Sequence, residues 1–275
     1  MIMGVLFATR NATVDELELF RKMMSTFRDG SGVEREEDGS TRAGWRQIER
    51  CVSALVNGIG GEDKGIFDVV AIDEIYKKTA YGFSVKSKQL SKNEFAKLAS
   101  NGQTYMEIAN SPAKFWAEIV TAHGCSEQDF RERKHAAKIG TTVIDTVEKW
   151  HREGAVDFEL QNPGVKMDLT RSCYFCLSYS KASISDCRDY QIHIFRLEYP
   201  KKIKWKYKSS ACLTGYVTDR NQNEIALVDW YGLSGGQLKY YPLTSNAIYS
   251  SPVFKLYRPV ALEDLRARAK STKFQ

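Results

Sequence analysis

From about residue 155 the chain changes its rhythm. Apolar residues stop recurring every three or four positions and gather into short aromatic or β-branched runs: AVDFEL, CYFCLSYS, YQIHIFRLEY, IKWKYK, CLTGYVT, EIALVDWY, QLKYYP and VFKLYR. Runs of this kind read as strands, with Asp219-Arg220-Asn221-Gln222-Asn223 and Ser234-Gly235-Gly236 as turn-forming breaks. The part before it is mainly helical. That order predicts an α/β or α+β fold, with a mixed central sheet flanked by helices and a strand-rich C-terminal half. A length of 275 residues suits one large domain, organised as a helical region with a strand hairpin (1–154) and a strand-rich part (155–275).

Thr13 and Glu16 form a capping-box pattern ahead of Val14, Leu17, Phe20, Met24 and Phe27, and Gly30 ends that helix. Residues 29–44, polar and glycine-rich, read as a loop. A second helix is expected over 44–57, with Trp45, Ile48, Cys51, Val52 and Leu55 buried. IFDVVAID (66–73) and YGFSVKSK (81–88) read as strands, Ser91 as a cap with Glu94 behind it, and 104–109 as a further strand. Ser111-Pro112 starts a helix with Phe115, Trp116, Ile119 and Val120 on its apolar side. A long basic helix is expected over 126–153, ending at Gly154, and a last one over about 261–270.

The chemistry concentrates in residues 42–110. Asp68 interrupts an apolar strand, where a lone charge is costly unless paired or bound to a metal. Ser84 and Lys86 are two apart on the next strand and share a sheet face, while Phe83 and Val85 take the other. If the strands are neighbours, Asp68 stands beside Lys86. Glu49 lies at the border of the buried stripe of its helix, within reach of an adjacent site. A carboxylate that holds Mg²⁺ and a lysine that orients water suit phosphodiester hydrolysis. The competing reading of Asp68 and Lys86 is a structural salt bridge.

This order, a helix bearing Glu49, a strand with Asp68 and a hairpin into a strand ending in x-Lys86, resembles the PD-(D/E)xK nuclease superfamily and its type II restriction endonucleases. Phe67 stands at the motif's proline and Ser84 at its second acid, as in the Ser-x-Lys variant, where a glutamate from a following segment supplies the missing carboxylate. Glu107 is favoured for that part and Glu94 is the alternative, although Glu94 also suits a capping box. The resemblance implies a Mg²⁺-dependent, sequence-specific endonuclease acting on double-stranded DNA and leaving 5′-phosphate and 3′-hydroxyl ends. Asp68, the Val85 carbonyl, Glu107 and Glu49 would ligate the metal, with Ser84 and Lys86 completing the site. Palindromic recognition would call for a homodimer. A structure-selective or repair nuclease with the same core, or a non-catalytic nucleic-acid-binding protein, are the alternatives.

Lys plus Arg (40) exceed Asp plus Glu (34), a net +6 that permits a polyanionic partner. Its distribution says more: acids cluster in the first 75 positions and lysines in the strand 201–208, with further bases, matched by as many acids, along the 126–153 helix. Lys88, Arg131, Lys134, Lys138, Lys204 and Lys206 are the candidate DNA contacts. Alternating lysines at 202–208 equally suit a protected edge strand. Cys173 and Cys176 have CxxC spacing, but Tyr-Phe between them reads as strand, so buried thiols are expected. No phosphate-cradling glycine loop or dinucleotide fingerprint occurs. No apolar run approaches the roughly 18–20 residues of a spanning helix, and the N-terminal MIMGVLFATRN lacks a signal peptide's basic start. A cytoplasmic protein with no membrane partner and reduced cysteines is expected.

Overall fold

The computed structural model describes residues 4–60, 66–73, 77–182, 187–219 and 222–258. The helix expected over 261–270 lies outside them. Helix α1 (Val14–Thr26) starts at its capping box: the Thr13 hydroxyl accepts the Glu16 N–H, and the Glu16 carboxylate accepts the Thr13 N–H at 2.8 Å. It buries Phe20 and Met24, while Val14 is exposed. Strands β1 (Glu34–Arg35) and β2 (Thr41–Arg42) form a hairpin inside the stretch read as loop. Helix α2 (Trp45–Leu55) buries Ile48, Cys51, Val52 and Leu55. Trp45, expected in that stripe, is 60% exposed at the first turn and carries the Arg46 guanidinium over its ring.

An antiparallel meander follows: β3 (Ile59–Gly60), β4 (Val69–Ile72) and β5 (Thr79–Leu90). Helix α3 (Lys92–Lys97) is capped by Ser91 with Glu94, and β6 (Met106–Asn110) and α4 (Pro112–His123) come next. The long basic helix expected over 126–153 is two helices, α5 (Glu127–Arg131) and α6 (Ala136–Gln161), separated by left-handed backbone at Arg133 and His135. The reason lies in the core. Phe130 and Ile139 would stand on nearly opposite sides of a continuous helix at about 100° per residue, yet both are fully buried in the same cluster. The backbone turns so that both can point inward.

Helix α6 also continues through Gly154, so AVDFEL is helix rather than strand, and the boundary between 154 and 155 falls inside an element. Val147, His151, Ala155 and Phe158 recur at helical spacing on its inner side. Gly154 marks a close approach: a Cβ there would meet Ile66 Cγ2 at 2.1 Å.

The remaining strands are β7 (Lys166–Met167), β8 (Cys173–Ser180), β9 (Asp189–Arg196), β10 (Lys204–Tyr207), β11 (Leu213–Thr218), β12 (Glu224–Trp230), β13 (Gln237–Tyr240), β14 (Tyr249–Ser250) and β15 (Phe254–Lys255). An eight-stranded mixed sheet runs β14-β9-β8-β5-β4-β3, with β15 on β9 and β7 on β5. Within it β5 and β8 are parallel, which requires a crossover; α4 to α6 lie in it. An antiparallel five-stranded sheet runs β10-β11-β12-β13-β6. The architecture is therefore mixed α and β, with strands from both parts of the sequence in each sheet.

Alternation in β5 and β8 sorts side chains into two cores. Tyr81, Phe83, Val85, Cys173 and Phe175 face α1 and α2. Ala80, Tyr174 and Cys176 face the cluster built on α4, α6 and the second sheet. Cys173 and Cys176 thus lie on opposite faces of β8. No helix among the described residues is long and apolar enough to cross a membrane.

Candidate active site

The site forms where β4 stops short of β5. Pairing covers Val69 to Ile72 against Phe83 to Ala80, and one more bond joins the Asp68 N–H to the Phe83 carbonyl at 3.1 Å. Beyond it β5 continues alone on that side. Asp68, the last residue before β4, closes the gap with its side chain: Oδ2 accepts the Val85 N–H at 2.6 Å and lies 3.5 Å from the Ser84 hydroxyl. Lys86 Nζ is 3.6 Å from the same oxygen. Asp68 and Lys86, drawn from separate apolar runs, therefore meet as the sequence predicts, and in the structure they form an ion pair.

A strand residue sends its N–H and C=O to the same edge. The Val85 N–H points at Asp68, so the Val85 carbonyl faces the same open edge. Among the described residues, Asp68 Oδ1 makes no hydrogen bond. A carboxylate oxygen and a backbone carbonyl are thereby both left at the vacated edge.

Glu49 comes from α2, in the layer below. Burial, and then the negative charge of Asp68, push its carboxyl up to about 7, against the opposing pull of Lys86 and Arg46. The charges of Asp68 and Lys86 are therefore both felt at the Glu49 carboxyl. On the opposite side, α6 brings His151 under Lys86. It is 5% exposed, stacks on Phe67 at 5.7 Å, and is pushed down to about 4 by burial and then by the Lys86 and Arg152 cations. Its Nδ1 has no hydrogen-bond partner. His151 is not among the site residues expected from the sequence. Its place four residues from Val147 and from Ala155 on the buried stripe was the available signal, hidden once 155–160 was read as strand.

Glu107 does not join this group. It is exposed on β6 in the five-stranded sheet, opposite Lys239, and among the described residues it contacts neither Asp68 nor Lys86. An acid that interrupts an apolar run there simply marks the solvent face of a strand. Glu94 is occupied as the α3 cap, accepting the Ser91 N–H at 2.9 Å. Of Glu49, Glu94 and Glu107, Glu49 is the one whose carboxyl is raised by the charge of Asp68. Among the described residues no three His, Cys, Asp or Glu side chains are grouped closely enough to hold a metal ion. Asp68, Glu49 and the Val85 carbonyl nevertheless fit Mg²⁺, which retains several waters and takes only one or two protein carboxylates.

The basic candidates divide. Arg131 pairs with Glu127 and Lys134 with Glu132, at 3.7 and 2.5 Å. Lys204 and Lys206 both reach Glu224, at 2.8 and 2.5 Å, on the edge strand β10 while Trp205 turns inward. Their strand is thus partly neutralised and sits where an edge needs protection. Lys138 is exposed on α6. Lys88 lies on the face of Lys86, two residues further along β5, with its ammonium 4.4 Å from the Tyr105 ring.

Comparison of the chain with protein-family models, with curated proteins and with solved structures finds no match to any of them.

Proposed function

We propose that the protein is a Mg²⁺-dependent DNA endonuclease of the PD-(D/E)xK type, acting on double-stranded DNA as a sequence-specific homodimer in the manner of type II restriction enzymes. The observation that carries this reading is the Asp68–Lys86 pair at the edge that β4 leaves open, with Asp68 Oδ2 on the Val85 N–H and the half-buried Glu49 carboxyl feeling both charges. A partly exposed ion pair such as Asp68–Lys86 contributes at most ~1 kcal/mol to stability. A second, half-buried carboxylate in its field opposes folding at neutral pH. Stability alone therefore gives no reason for the group, whereas binding a cation does. The order helix, strand, hairpin and x-Lys strand around the open edge supports the same reading.

Asp68 and Glu49 would hold the ion with the Val85 carbonyl, and Mg²⁺ bound there supplies polarisation of a phosphate oxygen. Held by its ion pair next to the edge, Lys86 orients an attacking water or stabilises the charge that builds on the phosphate. Ser84 donates to Asp68 and keeps its carboxylate turned to the edge. His151, neutral beneath Lys86, leaves the ammonium to Asp68 and to substrate.

The test is plasmid digestion with and without Mg²⁺, followed by sequencing of the ends. Discrete fragments with 5′-phosphates are expected. Lys86→Ala and Asp68→Ala should each lower the rate by roughly a thousandfold, the scale of removing a charge-stabilising group, while DNA binding in Ca²⁺ survives. Wild-type rates in either variant would overturn the assignment. Discrete DNA shifts with no cleavage under any metal would favour a binding protein.

A further inference from the structure

Along β5 from the candidate active site, a cavity of about 450 Å³ opens among Lys88, Lys97, Gln103, Thr104, Tyr105 and Tyr241. Lys88 follows Lys86 on the same sheet face, about 7 Å away at the usual strand rise, so cavity and site share one track. Its chemistry is aromatic and cationic. Tyr105 and Tyr241 meet edge to face at 5.5 Å. Lys88 lies 4.4 Å and Lys239 5.8 Å from the Tyr105 ring centre, and Lys239 also covers Tyr231 at 4.4 Å. The acids nearby are engaged or turned out: Glu94 caps α3, Asp229 accepts from Thr214 and Tyr241, and Glu107 is exposed opposite Lys239. Thr104 lines the cavity at 1% exposure and its hydroxyl has no hydrogen-bond partner, the Cys176 thiol being its polar neighbour.

We propose that this cavity holds an unpaired nucleotide of the substrate, its base stacked on Tyr105 and Tyr241 and its phosphate on Lys88 and Lys97. The proposal rests on the nuclease reading and adds to it that the enzyme grips an unstacked base next to the cut. A lysine resting on a partly buried ring at the rim of a cavity is held by only a modest attraction and exchanges for a base, which stacks on tyrosine while freeing the ammonium for the phosphate.

The experiment measures binding of the full chain in Ca²⁺ to a fluorescein-labelled blunt duplex and to the same duplex with a single-stranded extension. The extended duplex is expected to bind roughly tenfold more tightly. Tyr105→Ala and the surface substitution Lys88→Glu should each erase most of that ratio, and Tyr105→Phe should keep it. If Tyr105→Ala weakens both duplexes equally while Tyr105→Phe does not, the base is drawn from intact duplex, which also supports the cavity's role. Equal affinities for the two duplexes that neither Tyr105→Ala nor Lys88→Glu changes would overturn the proposal and leave the nuclease reading standing. Failure of the wild-type chain to bind either duplex would overturn both.

Discussion

Glu49 is the residue whose charge state the fold disfavours most clearly within the candidate site. Its carboxyl titrates at about 7 in the folded chain instead of 4.5. Below 4.5 it is protonated in both folded and unfolded states. As pH rises through about 7, the folded chain must ionise it in the field of Asp68. The metal-free protein should therefore lose stability across that window, and Glu49→Gln should not. Melting temperatures of the two in chelator, measured from acid to mildly alkaline pH, should diverge as pH rises; parallel curves would contradict the burial of the Glu49 carboxyl in the field of Asp68. Mg²⁺ should close the gap by raising wild type more than Glu49→Gln. At this scale Asp68 and Lys86 were legible because each interrupts an apolar run at a position its neighbours need buried. Glu107 obeyed the same pattern and misled, since Met106 is buried and Glu107 points to solvent in ordinary alternation. What separates them is the neighbouring strand, which a local pattern does not contain.

Elements meet in this protein through glycines as much as through large side chains. A Cβ on Gly140 of α6 would lie 2.0 Å from Trp205 Cδ2 of β10, and one on Gly82 of β5 would lie 2.4 Å from the Phe67 ring. Gly140→Ala should destabilise by ~1–3 kcal/mol through overpacking, outweighing the ~1 kcal/mol that alanine gains in a free helix; urea unfolding measures the sign. Gly82→Ala should do more, because Phe67 precedes Asp68 and supports the ring of His151. Cleavage should fall along with stability, and retained activity would show that Asp68 does not depend on Phe67 for its position. Caps and stripes made α1, α2, α3 and α4 readable. The break between α5 and α6 was not, because nothing local reveals that Phe130 and Ile139 share one core. Nor was the last part of α6, where six residues of mixed polarity fit either period.

Over the whole molecule, two buried histidines couple folding to acid. His151 and His193 are both pushed down to about 4, chiefly by burial. Their stability contribution is present above 6.5 and is lost as pH falls through about 4, because the unfolded chain takes up protons that the folded one refuses. The two histidines together contribute a loss of up to about 2.7 kcal/mol per pH unit inside that window, partly offset above pH 4.5 by the protonation of Glu49, and His193→Leu should remove one histidine's share of the loss. The general class, helices with a mixed sheet, was legible from hydrophobic periodicity. The exchange of strands between sheets was not: β6 pairs with β13 and not with β5, a choice set by register and packing far along the chain. The parallel joining of β5 to β8 is of the same kind, and it has a temporal consequence. Phe83 pairs with Cys173 and Leu90 with Ser180, so during synthesis the Lys86 half of β5 lacks its parallel partner until the chain beyond residue 180 has left the ribosome, β7 reaching only Thr79 and Ala80. Long-range parallel pairs form late. The strand that bears Lys86 is thus completed only after β8 has emerged, and the proposed activity stays silent in the nascent chain until then.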